Sequence, residues 1–480
     1  MEPIKFTNIS VHDTKNRAPR SERRKEGKAL RQKVPLESHG TWTPSPDRSE
    51  PLDILQAQDE DRLQHLLPIK YGRMLASPFA FLRGSAAIMA ADLEATPVTG
   101  IQSMLCGDAH LSNFGLFATP ERRLVFDVND FDEVFPGPWE WDLKRLAAST
   151  VVAGREIGLK EKTCKKMAAI SARAYSRAMK HFSSLHTLDV WYYHVDAETV
   201  LDVFNRTSSK KGRKAAKKTV SKARTKTQEQ TLGKLTKVKN GQRRIVSDPP
   251  LLMPMREVDM SQYLTPEELA NSPADYVEKA WSQYLNSLPD ERRFLLMRFK
   301  VIDVALRVGG VGSVGTRCFI ALLEGGGKDD FLILQLKEAG KSVLEDYIPR
   351  RSYVQHAQRV VTGQRLMQAA SDIFLGWHTG QIKELEYYWR QLKDMKGSFD
   401  VTAMDKSSFK AYVAVCSWCL ARAHARTSDS SYISGYLGGG KSFSKAIGDF
   451  AVTYANQSEL DYQKLLDAVD SGRIIAEKGI

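Results

Sequence analysis

Cysteine is scarce in this 480-residue sequence, and the five cysteines are scattered and odd in number: Cys106, Cys164, Cys318, Cys416 and Cys419. Such a set does not make a disulfide framework, which favours a reducing environment. Cys416 and Cys419 form a Cys-x-x-Cys motif within the helical pattern AYVAVCSWCLARAHAR. A zinc site would require two more ligands, and only His424 lies near in the sequence. We therefore interpret both thiols as core residues rather than as metal or redox groups.

Long apolar runs and an export signal are also missing. The longest apolar stretches reach about half of the roughly 20 residues that a membrane-spanning helix requires. The N-terminal sequence MEPIKFTNIS does not have the basic-then-apolar pattern of a secretory signal. No internal repeat is evident, and hydrophobic residues, at 42%, leave ample material for a core. We expect a soluble, cytoplasmic protein without membrane contact.

Charge is unevenly distributed along the chain. There are 70 lysines and arginines against 57 aspartates and glutamates, which gives a formal net charge of +13. Residues 206–244 contain 15 of the basic residues and one acidic residue, and residues 1–36 carry a net +6, so the remainder is net acidic at −7. The basicity therefore predicts a weak polyanion contact through residues 206–244, and it does not make nucleic-acid binding the main function.

Hydrophobic periodicity predicts an α+β fold in five parts. The parts are a flexible basic arm with one short helix near 22–32 (1–50), a mostly helical part that carries polar loops (51–205), a basic exposed insertion (206–250), a β-rich part (251–400) and a C-terminal helical part (401–480). Strands are predicted at MLC, at 114–117 and at 124–128 in the second part. The clearest strands of the fourth part are FLILQLKEA and LEYYWRQL.

The first polar motif is Gly-Asp-Ala-His-Leu-Ser-Asn at residues 107–113, which follows the strand pattern MLC. A polar turn is one interpretation, because these residue types favour turns. The second motif is VFDVNDFDE at 125–133, in which a hydrophobic strand runs into three aspartates and a glutamate. Clustered carboxylates repel one another unless a cation compensates them, so we weigh a divalent metal site against a solvated acidic turn.

The two motifs together are typical of the active site of protein kinases and their relatives, in which an Asp is followed five residues later by an Asn and then by a strand that ends in Asp-Phe. By this pattern Asp108 orients the acceptor hydroxyl. The predicted metal ligands are Asn113, Asp130 and Asp132, which would hold Mg²⁺ on the phosphates of ATP. His110 either orients Asp108 or the substrate, or makes a structural hydrogen bond.

The loop is similar to the Gly-Asp-x-His-x-x-Asn loop of the aminoglycoside and choline phosphotransferases. In that branch the metal Asp is followed by Gly-Pro and by Asp-Leu, which appear here as Gly137-Pro138 and Asp142-Leu143. The resemblance implies that Asp142 supports the catalytic loop from a helix.

A glycine motif lies far downstream, in RVGGVGSVGT. Gly310, Gly312 and Gly315 form Gly-x-Gly-x-x-Gly between two strand patterns, where either a phosphate-covering loop or a plain hairpin tip is expected. Lys337 follows within LQLKE and is placed to reach ATP phosphates from a third strand, unless it is an edge-strand lysine that faces solvent. Because these motifs follow the catalytic loop, we predict a two-lobed, protein-kinase-like fold that is circularly permuted.

The partner of Lys337 is open. Protein kinases pair this lysine with a helix glutamate, but the helix predicted at 353–370 contains no Glu. Glu338 and Glu345 are the candidate substitutes. Arg83 is weighed between a phosphate contact and a pair with a carboxylate such as Asp127.

Long segments of the chain resemble a bacterial family of uncharacterised proteins, domain of unknown function 2252. The segments are SPFAFLRGSAAIMAADL, CGDAHLSNFGLFATPERRLVFDVNDFDEVFPGPWEWDLKRLAAS, VVTGQRLMQAASDIFLGW, RQLKDMKGS and LARAHARTSD, spread over about residues 20–465. The family brings little settled function. Four further residues in these segments are interpreted as structural: Trp139, Trp141, His424 and Arg426.

The leading hypothesis is an ATP- and Mg²⁺-dependent phosphotransferase that acts on a hydroxyl of an unknown small molecule or protein. Transfer of AMP uses similar parts and is not separated by the sequence. The alternatives are a degenerate kinase-like binding protein, a nucleic-acid-associated protein that uses 206–244, and a metal-dependent hydrolase that uses Asp108, His110, Asp127 and Asp130. The oligomeric state is not indicated.

Overall fold

A computed structural model describes residues 18–259, 273–327, 329–348, 355–380, 385–392 and 394–479. Helices account for 53% of the described residues and strands for 15%, so the fold is α+β, as expected. The helices are α1 Arg20–Ala29, α2 Pro51–Asp59, α3 Leu67–Met74, α4 Pro78–Gly84, α5 Ala86–Glu94, α6 Trp139–Glu156, α7 Glu161–Phe182, α8 Thr187–Tyr192, α9 Ala197–Thr207, α10 Lys210–Thr225, α11 Gln228–Leu235, α12 Pro273–Asn286, α13 Asp290–Leu296, α14 His356–Met367, α15 Lys406–Thr427, α16 Ser430–Leu437 and α17 Lys441–Asp470.

The strands lie in one large sheet and three small ones. They are β1 Gln102–Leu105, β2 Phe114–Ala118, β3 Leu124–Val128, β4 Phe135–Pro138, β5 Thr236–Lys239, β6 Gln242–Ile245, β7 Leu252–Pro254, β8 Lys300–Arg307, β9 Cys318–Glu324, β10 Phe331–Glu338, β11 Gly376–Thr379 and β12 Glu386–Gln391. The large sheet is antiparallel in the order β11-β12-β10-β9-β8-β7. The other sheets are the pairs β1-β4, β2-β3 and β5-β6.

A helical body packs around α6, α7, α15 and α17. Helix α6 is buried on nearly every side, and its buried residues include the charged Glu140, Asp142, Lys144 and Arg145. At its start Trp139 is fully buried and stacks on Tyr175 with ring centroids 5.4 Å apart. Trp141 is also buried, so both tryptophans are core residues as predicted. None of the described helices is long and apolar enough to cross a membrane.

The large sheet carries the glycine motif between two neighbouring strands. Strands β8 and β9 pair antiparallel, and the residues that join them include Gly310, Gly312 and Gly315. Strand β10 follows β9 in the same meander and carries Lys337, opposite Cys318 on β9 and Tyr388 on β12. Lys337 therefore lies on the third strand of this meander, as predicted, and its contact with ATP phosphates stays a prediction.

The two short pairs β1-β4 and β2-β3 bring the polar motifs together. Strand β1 leads into residues 107–113, and β3 leads into residues 129–133. Strands β2 and β3 pair in full register from Phe114 opposite Val128 to Ala118 opposite Leu124. The backbone N–H of Asn129 donates to the Asn113 carbonyl at 3.0 Å, which holds one loop against the other.

The two basic segments are more closely packed than predicted. Helix α1 coincides with the short helix expected near 22–32, but it lies against α16, where Gly27 touches the Tyr432 backbone and Arg23 forms a buried ion pair with Asp429. The segment predicted as a loosely held arm is thus attached to α16 through α1, and residues 1–17 lie outside the described part.

The insertion also has a buried face. In α10 the small residues Gly212, Ala216, Val220 and Ala223 form a buried stripe, and the last three belong to the main core. Their spacing of four, four and three residues puts them on one side of a helix, while the lysines between them face outward. The segment predicted as an exposed insertion therefore has one packed face, which its average composition concealed.

Shortening Val220 tests this packing. We expect Val220→Ala to lower the free energy of unfolding by about 2 kcal/mol, because it removes two methyl groups from a closely packed site. The exposed neighbour Lys217→Ala is the control and leaves stability within about 0.5 kcal/mol. Urea unfolding followed by circular dichroism measures both, and equal stability of the two variants would show that α10 is not part of the core.

Candidate active site

Asp142 on α6 binds the start of the loop formed by residues 107–113. The Asp142 carboxylate accepts hydrogen bonds from the N–H groups of Cys106 at 2.8 Å and Gly107 at 3.0 Å. Nε2 of His424 lies 3.2 Å from Asp142 Oδ2, and Nδ1 of His424 bonds to the Tyr175 hydroxyl at 2.8 Å. The expected support from Asp142 and the structural role of His424 therefore agree with the geometry.

Gly107 is required where the two loops meet. Its φ of 80° lies in the left-handed region, and a Cβ atom there would collide with the Glu133 carbonyl. The close approach puts Asp108 beside residues 129–133, which we call the acidic loop.

Asp108 forms an ion pair that the sequence analysis missed. Oδ1 of Asp108 lies 2.8 Å from Nε and 2.7 Å from Nη2 of Arg145, and Oδ2 lies 3.3 Å from Nε2 of His110. Burial alone would raise the pKa of Asp108, but His110 and Arg145 outweigh burial and lower this pKa well below its usual value. Arg145 follows Asp142 by three residues on α6, and this helical spacing was the signal available in the sequence.

Asn113 joins the two loops through its amide. Its Nδ2 donates to the backbone carbonyls of Asp108 at 2.9 Å and Asp130 at 3.2 Å, and its Oδ1 accepts from the Asp130 N–H at 2.7 Å. One lone pair of Oδ1 is therefore engaged within the protein.

Lys337 reaches from the sheet to the acidic loop. Its Nζ contacts Asp132 Oδ2 and lies 3.6 Å from Asp130 Oδ1, while the Tyr388 hydroxyl donates to Asp132 Oδ1 at 2.6 Å. Burial would lower the pKa of Lys337, but Asp130 and Asp132 outweigh burial and raise it. Lys337 is thus a buried, paired lysine and not a solvent-facing edge residue.

Neither candidate glutamate is the partner of Lys337. Glu338 follows Lys337 directly on β10 and points to the opposite face of the sheet, because successive residues of a strand alternate between faces. There it pairs with Arg317 at 3.1 Å. Glu345 lies 3.7 Å from Arg359 Nε. Asp132 and Asp130 take the place that a helix glutamate fills in protein kinases.

The carboxylates fit a divalent metal only in part. Both oxygens of Asp132 are engaged by Lys337 and Tyr388, so its assignment as a metal ligand is not supported by the contacts. The side chain of Asp130 is 48% exposed and lines the cleft; its Oδ1 accepts from the Phe131 N–H at 3.0 Å, which leaves Oδ2 for a cation beside Asn113. Within the described residues no group of three or more His, Cys, Asp or Glu side chains is arranged to hold a metal ion.

One cleft of about 420 Å³ brings the separate motifs together. Asp108, His110, Asn113, Asp130 and Asp132 line it, and so do Gly310 and Gly312 of the glycine motif, about 200 residues further along the chain.

The glycine motif is held by two arginines of the N-terminal part, Arg62 between α2 and α3 and Arg73 on α3. The Arg62 guanidinium donates to the Gly312 carbonyl at 2.8 Å and to the Val314 carbonyl at 2.5 Å, and Arg73 donates to the Gly310 carbonyl at 2.5 Å. Gly315 has a φ of 88°, packs against Arg62 and is not among the residues that line the cleft. Its role is therefore in the turn, and the ligand-contacting role predicted for it is not supported by its position.

Four cations that line the cleft were not identified as a group from the sequence: Arg83, Lys226, Arg390 and Lys396. Nε of Arg83 is buried without a hydrogen-bond partner, and burial lowers the pKa of Arg83. Burial, followed by repulsion from Arg390, lowers the pKa of Lys396 to about 7. Such a set of desolvated cations favours an anionic ligand.

Arg83 does not pair with Asp127. Asp127 is fully buried and binds Arg422 at 2.5 Å, while its second oxygen accepts from the Val128 N–H at 2.9 Å. The phosphate contact of Arg83 stays a prediction, and Asp108 and Glu156 are the carboxylates whose charges act on Arg83. Cys416 and Cys419 are buried in the core, as expected.

The family model described as "Uncharacterized protein conserved in bacteria (DUF2252)" matches residues 62–468, well over half of the chain. The chain belongs to this family. No curated protein matches the chain. No solved structure matches it either. The functional assignment for this DUF2252 protein thus depends on the cleft.

Glu133 provides a pH test of the loop geometry. Burial raises its pKa from 4.5 to about 7, although the Val343 N–H donates to its carboxylate at 2.8 Å. Because the folded chain holds this proton more tightly than the unfolded chain, stability falls as the pH rises from about 4.5 to about 7. We expect a loss of up to about 3 kcal/mol over this window.

Glu133→Gln, which cannot ionise, should remove this part of the pH dependence. Chemical unfolding of both proteins between pH 4.5 and pH 8 measures the difference. Parallel pH profiles of wild type and variant would contradict the burial of the Glu133 carboxyl.

Proposed function

We propose that this protein is an ATP- and Mg²⁺-dependent phosphotransferase that acts on a hydroxyl, with a kinase-like arrangement in circularly permuted order. The observation that carries the proposal is the shared cleft: a glycine loop from the sheet and the loop of Asp108 and Asn113 from the helical body line the same cavity. In phosphoryl transfer these parts have complementary tasks, one at the phosphates and the other at the acceptor.

The nucleotide is expected to lie between the glycine loop and the acidic loop. The absence of side chains at Gly310 and Gly312 leaves room for phosphates, and Arg83, Arg390 and Lys396 supply positive charge around them. Asp130, assisted by Asn113, is the residue of this chain that would hold Mg²⁺, which neutralises phosphate charge when bound.

Asp108 is assigned to the acceptor hydroxyl. Its pair with Arg145 keeps it ionised across the physiological pH range, so it is suited to accept a hydrogen bond and orient the hydroxyl. His110, 3.3 Å away, either fixes the Asp108 rotamer or contacts the acceptor.

Lys337 is assigned a different task from the one its sequence position indicated. It is 5% exposed and engaged with Asp132 and Asp130. We therefore assign it to holding the acidic loop, and assign the direct phosphate contacts to Arg390 and Lys396.

The metal-dependent hydrolase has less support than phosphotransfer. Its proposed set includes Asp127, which is 1% exposed and engaged with Arg422, out of reach of a substrate. AMP transfer needs the same cleft, and labelling ATP at the α or the γ phosphate distinguishes it from phosphoryl transfer.

Removing the charge of Asp108 tests the assignment. We expect Asp108→Asn to lower ATP turnover by about 10²- to 10⁴-fold, while the thermal shift caused by Mg²⁺–ATP is retained. Asn is chosen because it has nearly the same shape and keeps an acceptor for Arg145. Asp189→Asn, an exposed aspartate on α8, is the control and should turn over ATP like wild type. Undiminished turnover by the Asp108 variant would refute the role of Asp108.

Lys396 gives the nucleotide affinity a pH dependence. With a pKa of about 7 its ammonium is charged at about pH 6 and neutral at about pH 8.5, so Mg²⁺–ATP should bind about three- to tenfold more weakly at the higher pH. Lys396→Arg keeps its charge at both values and should flatten the profile. Titration calorimetry measures both proteins, and the same steep profile in the variant would exclude Lys396 as the cause.

A further inference from the structure

Helix α10 presents a dense row of cations to solvent. Seven of its lysines and arginines are exposed and make no ion pair within the described part of the chain, namely Lys210, Lys211, Arg213, Lys214, Lys217, Lys218 and Lys222. An eighth, Arg224, pairs with Glu198 of α9. The 16 residues of the helix span about 24 Å, so the charges are close enough to repel one another.

The buried stripe of α10 determines where this row points. Gly212 fits against Ser408 of α15, and Ala223 faces Gly397, which lines the cleft. Because the helix is packed along its length, its lysines are held on a rigid surface. A freely moving basic tail would not fix their direction.

The row of charges continues into the cleft. The Lys226 carbonyl accepts a hydrogen bond from the Met395 N–H at 2.9 Å, and the Lys226 side chain lines the cleft together with Lys396 and Arg390. Burial lowers the pKa of Lys226, and so do the charges of Lys222 and Lys234 beside it. Positive charge therefore extends from Lys222 on α10 to Lys226, which lines the same cleft as Asp108.

The composition of this face favours phosphates over an acidic protein. The sequence of α10, KKGRKAAKKTVSKART, contains no aromatic residue or methionine, and its valine is buried. Protein interfaces have an apolar centre that is enriched in such residues, and α10 has none to offer. The phosphates of a nucleic acid repeat at short, regular intervals and are bound largely by lysines and arginines.

We propose that the exposed face of α10, together with Lys226, binds the sugar–phosphate backbone of a nucleic acid strand and leads one end of it to the mouth of the cleft. The absence of aromatic side chains on α10 means that binding is independent of base sequence and strongly dependent on salt. The proposal rests on the proposed function in one respect, that chemistry takes place in this cleft; binding itself does not require ATP turnover.

The test compares two variants with equal loss of charge. The first replaces four exposed lysines of α10 in K214Q/K217Q/K218Q/K222Q, which keeps helix propensity. The second replaces four exposed lysines elsewhere on the helical body in K160Q/K162Q/K166Q/K445Q. Fluorescence anisotropy measures the binding of a labelled single-stranded DNA of roughly 16 nucleotides between about 50 and about 200 mM KCl.

We expect wild type and the second variant to bind with the same steep salt dependence. The α10 variant should bind more than about tenfold more weakly at low salt, with the slope of log K against log salt reduced by about 3. Equal weakening of both variants would mean that net charge alone acts, and would overturn the proposal. A labelled polyglutamate is measured in the same way. If it binds wild type as tightly as the DNA does and loses affinity equally in the α10 variant, the surface binds acidic polypeptides and the proposal is overturned.

The same assay with Asp108→Asn separates this proposal from the proposed function. Retained DNA binding by Asp108→Asn supports the docking surface whether or not wild type turns over ATP. Wild type that turns over ATP but shows no salt-dependent DNA binding overturns the docking surface alone.

Discussion

The contact between Lys337 and Asp132 is the interaction on which the rest of the candidate site depends. It joins the large sheet to the acidic loop that follows β3, and Tyr388 completes it from the neighbouring strand. The acidic loop brings several carboxylates close together, and without a buried cation their repulsion would drive them apart. Lys337 offsets this repulsion, and its own burial is tolerated because the carboxylates pair with it. The glycine loop and the Asp108 loop can therefore share a cleft.

Charges around that cleft are divided into compensated and uncompensated groups. Asp108 is paired with Arg145, and Asp132 with Lys337, so these residues stabilise the positions of the two loops. Arg390 and Lys396 line the same cavity. Asp130 lines it too, and its half-exposed carboxylate is available to a ligand. An excess of desolvated positive charge beside one available carboxylate suits an anion that brings a divalent cation with it.

Local signals predicted the elements and the order of the motifs well. The strands around the Asp108 loop, the glycine connection between β8 and β9, and the support from Asp142 all depend on residues close in sequence or on a known loop pattern. Arg390 lies on β12 and Lys396 in the segment after it. Their position in the cleft depends on tertiary packing, which hydrophobic periodicity does not predict. Asp132 was predicted as a metal ligand from the cluster of carboxylates around it. The sequence does not show its pairing with Lys337, which is 205 residues away. The packed face of α10 was missed because four small residues are easily hidden among lysines.

Amide hydrogen exchange with and without Mg²⁺ and a non-hydrolysable ATP analogue tests the central claim most directly. The claim is that residues 107–113 and residues 310–316 form two walls of one nucleotide site. The account predicts that both segments become protected together at the same analogue concentration. Protection of neither segment, or of one without the other, would contradict it.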